Sequence, residues 1–359
     1  MAKRPPQAVP GRGARSNPDN RFEAISRELI DDGWGSLDAP PPPLTTTLTV
    51  DNSRSVISYN DSPDVPFDRS INPYRGCEHG CVYCFARPTH AWLGLSPGLD
   101  FESRLFHKPD AAELLRNELA KRNYRCQPIT VGINTDAYQP VERRLGITRQ
   151  ILNVLRDCHH PLTIVTKSAL IERDLDILAP MAAQHLVHVA ISITTLDPRL
   201  ARKLEPRAAA PKRRLQTIAA LSNAGIPVTV LVAPLIPVLT DGELETILDH
   251  AHAAGARDAG YVFLRLPHEI KDLFREWLTE HEPGKADHVM NRIRDSRGGR
   301  DYHARFGERM RGTGVFADLI AQRFRLAGKR LAFPGLPKLD TDRFRPPKPA
   351  NRSGQLELF

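Results

Sequence analysis

No stretch of this 359-residue chain is apolar for long enough to cross a bilayer. The longest candidate, Ile226 to Leu239, is too short and is interrupted by Pro227, Pro234 and Pro237. The first ten residues, Met1 to Pro10, hold no apolar h-region, so no secretory signal is expected. Cysteine is scarce as well. There are five, an odd number, and three of them fall within eight residues. That excludes an evenly paired disulfide framework and, in a cytoplasmic protein, reads as metal binding. No internal sequence repeat is visible. What is left is a cytoplasmic globular protein, since an apolar share of 41% is enough for a sizeable core. The net charge of +8 suits a polyanionic partner such as nucleic acid; equally, it keeps charged tails solvated.

Four regions are expected. Residues 1–44 read as a basic, disordered N-terminal tail and linker, with a short amphipathic helix over 21–32 and a stiff proline-rich stretch at 39–44. Residues 45–280 form the core. Thr45 to Val50 alternates like a strand, and from about residue 68 strands alternate with helices. The strand candidates are Ile129–Asn134, Leu162–Thr166, Val187–Thr194, Val228–Val232 and Tyr261–Leu264. The helical stretches are Ala111–Arg122, Thr148–Cys158, Leu170–Ala183, Lys212–Ala224 and Glu243–Ala254. Pro211 fits a helix start, and Ala224-Gly225 a helix stop. β-Branched, buried strands alternating with helices predict an α/β fold with a parallel sheet, closing as a partial (β/α)6 TIM-type barrel. Chemistry belongs at the C-terminal strand ends. Residues 281–331 read as a basic helical extension, and 332–359 as a flexible basic tail.

The segment Asn72-Pro-Tyr-Arg-Gly-Cys77-Glu-His-Gly-Cys81-Val-Tyr-Cys84-Phe-Ala-Arg87 carries the chemistry. The spacing is C-x3-C-x2-C. Three thiolates from one loop hold three corners of a cubane [4Fe–4S] cluster and leave one iron open. Gly76 and Gly80 let the backbone wrap closely around it. A structural zinc site of Cys3His type, using His79 or His90, is the competing reading. Cys126 and Cys158 read as buried small hydrophobes.

With an aromatic residue, Tyr83, before the third cysteine, this motif resembles that of the radical S-adenosylmethionine (SAM) superfamily. The resemblance spans roughly residues 65–275 and is nearest to the spore photoproduct lyase branch, often labelled DNA repair photolyase-like. Supporting strings are Asn134-Thr-Asp-Ala-Tyr-Gln-Pro-Val-Glu142, Thr166-Lys-Ser168, Ser192-Ile-Thr-Thr195, Glu205-Pro-Arg-Ala208 and Ala233-Pro-Leu-Ile-Pro237. The resemblance implies a [4Fe–4S] cluster on Cys77, Cys81 and Cys84, SAM as second cofactor, and an external electron donor. It places Tyr83 near the adenine, Thr135 and Asp136 near the SAM amino group, and Lys167, Ser192 and Arg207 near its carboxylate. Competing structural roles are a turn or cap for Asp136, a solvated strand end for Lys167 and a surface ion pair for Arg207. Tyr74, Tyr138, His79 and His268 are candidates for the barrel mouth. The chain departs from the lyase at one point. Gly132-Ile-Asn-Thr-Asp136 has no cysteine hydrogen donor before the acid, so the lyase's own reaction is not expected here.

The last five residues, Gln355-Leu-Glu-Leu-Phe359, resemble the peptide that binds the bacterial sliding clamp. The sequence therefore predicts radical SAM chemistry on a macromolecular substrate, DNA before RNA or protein. The alternative from another class is a zinc-stabilised, clamp-associated scaffold without catalysis.

Overall fold

The computed structural model describes residues 9–23 and 44–347. The expected helix over 21–32 lies largely outside them, and its described part, 21–23, is not helical. The proline-rich stretch and the C-terminal pentapeptide also lie outside them.

Among the described residues the strands are β1 (Thr47–Val50), β2 (Ile57–Tyr59), β3 (Arg69–Ile71), β4 (Tyr74–Arg75), β5 (Arg104–His107), β6 (Ile129–Val131), β7 (Leu162–Thr166), β8 (Val187–Ser192), β9 (Val228–Leu235) and β10 (Asp258–Phe263). The main sheet runs β10-β9-β8-β7-β6-β3-β2. Its strands β3 and β6 to β10 pair in parallel, and only β2 is antiparallel. Helices between these strands make it the expected α/β fold with a parallel sheet. Most β-branched residues of β6 to β9 are buried, as a parallel sheet covered on both faces requires; Thr163 and Val165 of β7 are half-buried. A second sheet of three short strands, β1-β5-β4, sits beside the first crossover.

Helices α1 (Leu99–Ser103) and α2 (Ala111–Leu119) lie in the long connection from β3 to β6. Next come α3 (Glu142–Leu145), α4 (Ile147–Asp157), α5 (Leu175–Ala182), α6 (Pro198–Leu204), α7 (Pro211–Asn223) and α8 (Leu244–Ala253). Pro211 opens α7 at its first turn and Gly225, at φ +77°, follows its end. The stretch expected as one helix over 170–183 enters instead as a 3-10 turn, Ala169–Asp174. There the Ser168 hydroxyl accepts from Leu170 N, and Asp174 is drawn aside by Arg149 and Arg173. Beyond the sheet lie α9 (Ile270–His281), α10 (Ala286–Asp295) and α11 (Gly314–Leu331).

Both tails correct the reading of disorder over their described parts. Residues 9–23 run against the connection between β4 and β5. Gly13 N and Ala14 N donate to the Glu102 carboxylate at 2.9 and 2.8 Å, and Leu99 N donates to Ser16 O. The segment has little apolar surface to bury, so its order comes from hydrogen bonds to partners some ninety residues away. Residues 333–347 cross the loops that precede the strands. Gly335 N donates to Arg257 O, Asp340 N to His185 O and Arg345 N to Cys158 O, while Phe344 packs on Tyr124 and His160. Cys158 is buried, as expected; Cys126 is half-buried.

A Cβ on Gly13 would lie 1.8 Å from Gly80 O, a backbone atom that cannot swing aside. Gly13→Ala is therefore expected to destabilise the protein by about 1–3 kcal/mol. Gly328→Ala, within α11 and with open space at its Cβ, is expected to stabilise by about 0.5–1 kcal/mol. Paired thermal melts check this; equal melting of Gly13→Ala and wild type would mean the N-terminal segment is not seated as described.

Candidate cofactor site

All six parallel strands end on one side, and the loops leaving those ends converge. The cysteine loop, residues 72–87, follows β3. Gly76 and Gly80 both adopt positive φ, +77° and +67°, and a Cβ on either would collide with Phe101 O or the Glu102 carboxylate. The loop is then clamped from several sides. Cys77 N donates to Phe101 O, and Val82 N donates to Leu204 O. Gln139 takes Glu78 N on its carbonyl at 2.8 Å and gives its amide to Gly76 O at 3.1 Å. Deepest is Arg87, wholly buried. Its guanidinium donates to the carbonyls of Gly80, Cys81, Pro97 and Gly98 and closes an ion pair with Glu102, itself wholly buried. Every donor direction of that cation is used, which is the condition for tolerating it away from water.

Cys77 and Cys81 are buried and Cys84 is partly so. Burial pushes the Cys77 thiol well up, and Asp136, Cys81 and Cys84 add to it. Burial, then Glu205, does the same to Cys81. Burial also raises Cys84, against the pull of Arg87 and Lys167. The three thiols thus lie near enough to disfavour one another's charge. Each histidine of the zinc reading has one ring nitrogen engaged. His79 Nδ1 sits 3.3 Å from Asp136, and His90 Nε2 lies 3.0 Å from Arg104 O. Burial holds His90 down at about 4, so it is neutral. Among the described residues no three His, Cys, Asp or Glu side chains form a group for a single metal ion.

The sequence-predicted contact residues divide into two groups. Lys167, Ser192 and Tyr83 come together. Lys167 Nζ donates to Ser192 Oγ at 2.7 Å and to Ala233 O at 3.3 Å, and lies 6.0 Å from the Tyr83 ring centroid. Ser192 Oγ also donates to Ala233 O at 2.8 Å. Beneath them is a group not singled out from the sequence. Glu205 accepts from the Tyr83 hydroxyl and from Thr194 Oγ1, pairs with the buried Arg214, and lies 4.0 Å from Lys167. The string Glu205-Pro-Arg was the available signal for it, as the string Asn134 to Glu142 was for Gln139; Arg214 had none.

Asp136 and Thr135 are placed differently from expectation. Strand β6 stops at Val131, so both residues lie in the turn beyond it. Asp136 accepts from three donors, Tyr138 N, Thr166 Oγ1 and Lys167 N, and has His79 Nδ1 3.3 Å away. Burial raises its carboxyl, but His79 and the other donors outweigh this and hold it at about 2. Thr135 gives its hydroxyl to Tyr74 O. Arg207, exposed itself, pairs at 3.2 Å with Glu78, which is buried in the cysteine loop. Tyr74 and Tyr138 do not face the mouth; their hydroxyls go to Glu142 and Asp174 in the core. His268 is exposed in the loop after β10.

Comparison with known proteins adds the family. The family model described as "Radical SAM superfamily" matches residues 71–251, about half of the chain. This chain belongs to the radical SAM superfamily. An uncharacterized protein of Mycobacterium tuberculosis is 40% identical over 221 residues, 61% of this chain and 65% of that protein. The match thus covers a little under two thirds of that relative. An uncharacterized protein of Methanocaldococcus jannaschii is 29% identical over 173 residues, 48% of this chain and 62% of that protein. Among solved structures, a mutant spore photoproduct lyase aligns over 80% of both chains with a TM-score of 0.56 and 15% identity, a likeness of fold.

Radical SAM membership brings a [4Fe–4S] cluster and SAM as cofactors. The residues present fit them. Cys77, Cys81 and Cys84, whose thiols burial disfavours as anions, would hold the cluster as thiolates, with iron supplying the positive charge that the surroundings lack. Among the described residues no helix is long and apolar enough to cross a membrane.

Removing the Glu205 carboxylate strands Arg214 in the interior. Glu205→Ala is expected to destabilise by about 3–5 kcal/mol in denaturant unfolding. Burial raises the Glu205 carboxyl, but Arg214 and then Lys167 outweigh it and bring it from 4.5 down to about 2. A value lowered by folding adds stability above the unfolded value, and that stability is lost as pH falls. Between pH 4.5 and 2 the wild type should lose thermal stability faster than Glu205→Gln. Parallel profiles would contradict the buried pair.

Proposed function

We propose that this protein is a radical SAM enzyme, built on a partial βα barrel, that starts radical chemistry on a macromolecular substrate, DNA before RNA or protein. One observation carries the reading: Cys77, Cys81 and the partly buried Cys84 sit on one clamped loop at the C-terminal ends of six parallel strands. Cys77, Cys81 and Cys84 would hold the cluster. When bound, the reduced cluster with SAM supplies a 5′-deoxyadenosyl radical, which abstracts a substrate hydrogen. Lys167, oriented by Ser192, supplies a point charge for the SAM carboxylate. Tyr83, fixed by Glu205 and Thr194, gives the adenine a rigid apolar face. Asp136 acts as a positioning residue that ties His79 of the cysteine loop to the start of the loop after β7. Electrons come from an external donor.

DNA is favoured by the net charge of +8 and by the fold it shares with spore photoproduct lyase, which has been solved with a dinucleoside spore photoproduct. The reaction differs from that lyase's, because Cys126 lies before β6, at the strand end away from the cysteine loop. Anaerobically reconstituted protein given SAM and dithionite is expected to form 5′-deoxyadenosine, and Cys81→Ala to form none. Equal yields from both, or zinc in place of iron and sulfide, would overturn the enzyme reading.

A further inference from the structure

The main sheet has two edges, β10 and β2, and one loop reaches both. Residues 296–313, between α10 and α11, hydrogen-bond to the end of β10 through Phe263 N and Met310 O at 2.8 Å. The same loop meets the β2–β3 connection. Gly307 N donates to Asp64 at 2.6 Å, Arg309 pairs with Asp64, and Arg309 Nη2 donates to Ser62 Oγ. Burial raises the Asp64 carboxyl, but the Gly307 N–H and the Arg309 guanidinium outweigh it and keep it ionised. Buried Arg297 fixes the loop from inside, donating to Leu264 O, Glu308 O and Arg309 O. The loop is therefore a held strap.

Its outward chemistry is uneven. Residues 296–313 carry five arginines against two acids. One acid, Asp301, is occupied by Arg275 and Arg294. The other, Glu308, is shared between Arg305 and His303, an exposed pairing worth little in water. Arg300, Arg305 and Arg311 are exposed. Between them stands Phe306, 52% exposed, with the Arg309 guanidinium 4.5 Å from its ring centroid. The strap reaches the cysteine loop through Arg265. That guanidinium lies 3.5 Å from the Tyr302 hydroxyl on one side and 5.1 Å from the ring centroid of Phe85 on the other. Phe85 follows Cys84 directly and is 39% exposed.

We propose that this strap, with Phe85 and Arg265, is a rim of the catalytic mouth that binds single-stranded or locally unpaired nucleic acid. The inference rests on the nucleic-acid reading of the substrate above. Exposed arginines take phosphates, and two aromatic faces backed by guanidinium groups take bases by stacking. Arginine fits because it is always charged and stacks as well as pairs. A paired duplex hides its base faces, so the rim selects strands whose bases are out of the helix.

Binding of a fluorescent 20-nucleotide single strand and its duplex tests this by anisotropy, using reconstituted full-length protein over a salt series. The wild type is expected to prefer the single strand. Arg300→Glu/Arg305→Glu should weaken binding at least tenfold and lower the salt slope by about 2. Phe306→Ala should weaken single-strand binding roughly 5- to 100-fold while leaving the salt slope unchanged. Phe85→Ala is the second stacking variant, and wild-type iron content and circular dichroism exclude misfolding in each. If the wild type binds the strand and all variants bind it equally, the rim is wrong and the nucleic-acid reading stands. If the wild type binds no nucleic acid at physiological salt, both fall and a protein substrate takes their place.

Discussion

The guanidinium of Arg87 and the carboxylate of Glu102 meet where neither touches water, and the cysteine loop hangs from that pair. Arg87 gathers the carbonyls of Gly80 and Cys81 on one side and of Pro97 and Gly98 on the other. Glu102 in turn fixes Gly13 and Ala14 of the N-terminal segment. Three stretches far apart in the chain are thereby locked into one backbone arrangement. A buried pair of this kind is weak as a source of stability, but taking away one partner leaves a charge with nothing to satisfy it. Its value here is geometric: a loop that must present three thiols in fixed relation cannot rely on its own turns.

A second buried pair, Arg214 with Glu205, works from the opposite wall. Glu205 also receives Tyr83 and Thr194 and stands 4.0 Å from Lys167. The aromatic residue of the cysteine motif is therefore held by a charge network that begins on α7, outside the motif. The two pairs together bracket the space above the strand ends. One sets the loop and the other sets the side chains facing it.

The sheet and its helices were legible because strand and helix periods are local properties. Leu162–Thr166 falls where the alternation put it, and Pro211 and Gly225 punctuate α7 as their chemistry requires. The cysteine loop was legible for the same reason, its three ligands lying within eight residues. What the sequence hid depends on partners distant along the chain. The basic N-terminal segment looked disordered because its anchor is a glutamate ninety residues on. Arg214 is unremarkable until the fold brings it under the loop, and Gln139, though inside a quoted string, shows its role only there. That Asp136 also binds Thr166 and the Lys167 backbone and stands beside His79 could not be read from its neighbours in the chain. The strap between the sheet edges was equally invisible, since its contacts with Asp64 span more than two hundred residues.

Cys77, Cys81 and Cys84 would hold a cubane with one iron left for SAM. The sharpest test is electron paramagnetic resonance of the reconstituted, dithionite-reduced protein, recorded with and without SAM. A reduced [4Fe–4S] signal is expected, with a line shape that changes when SAM is added. A signal that SAM leaves untouched would contradict the open iron, and protein that holds zinc without acid-labile sulfide would contradict the cluster itself.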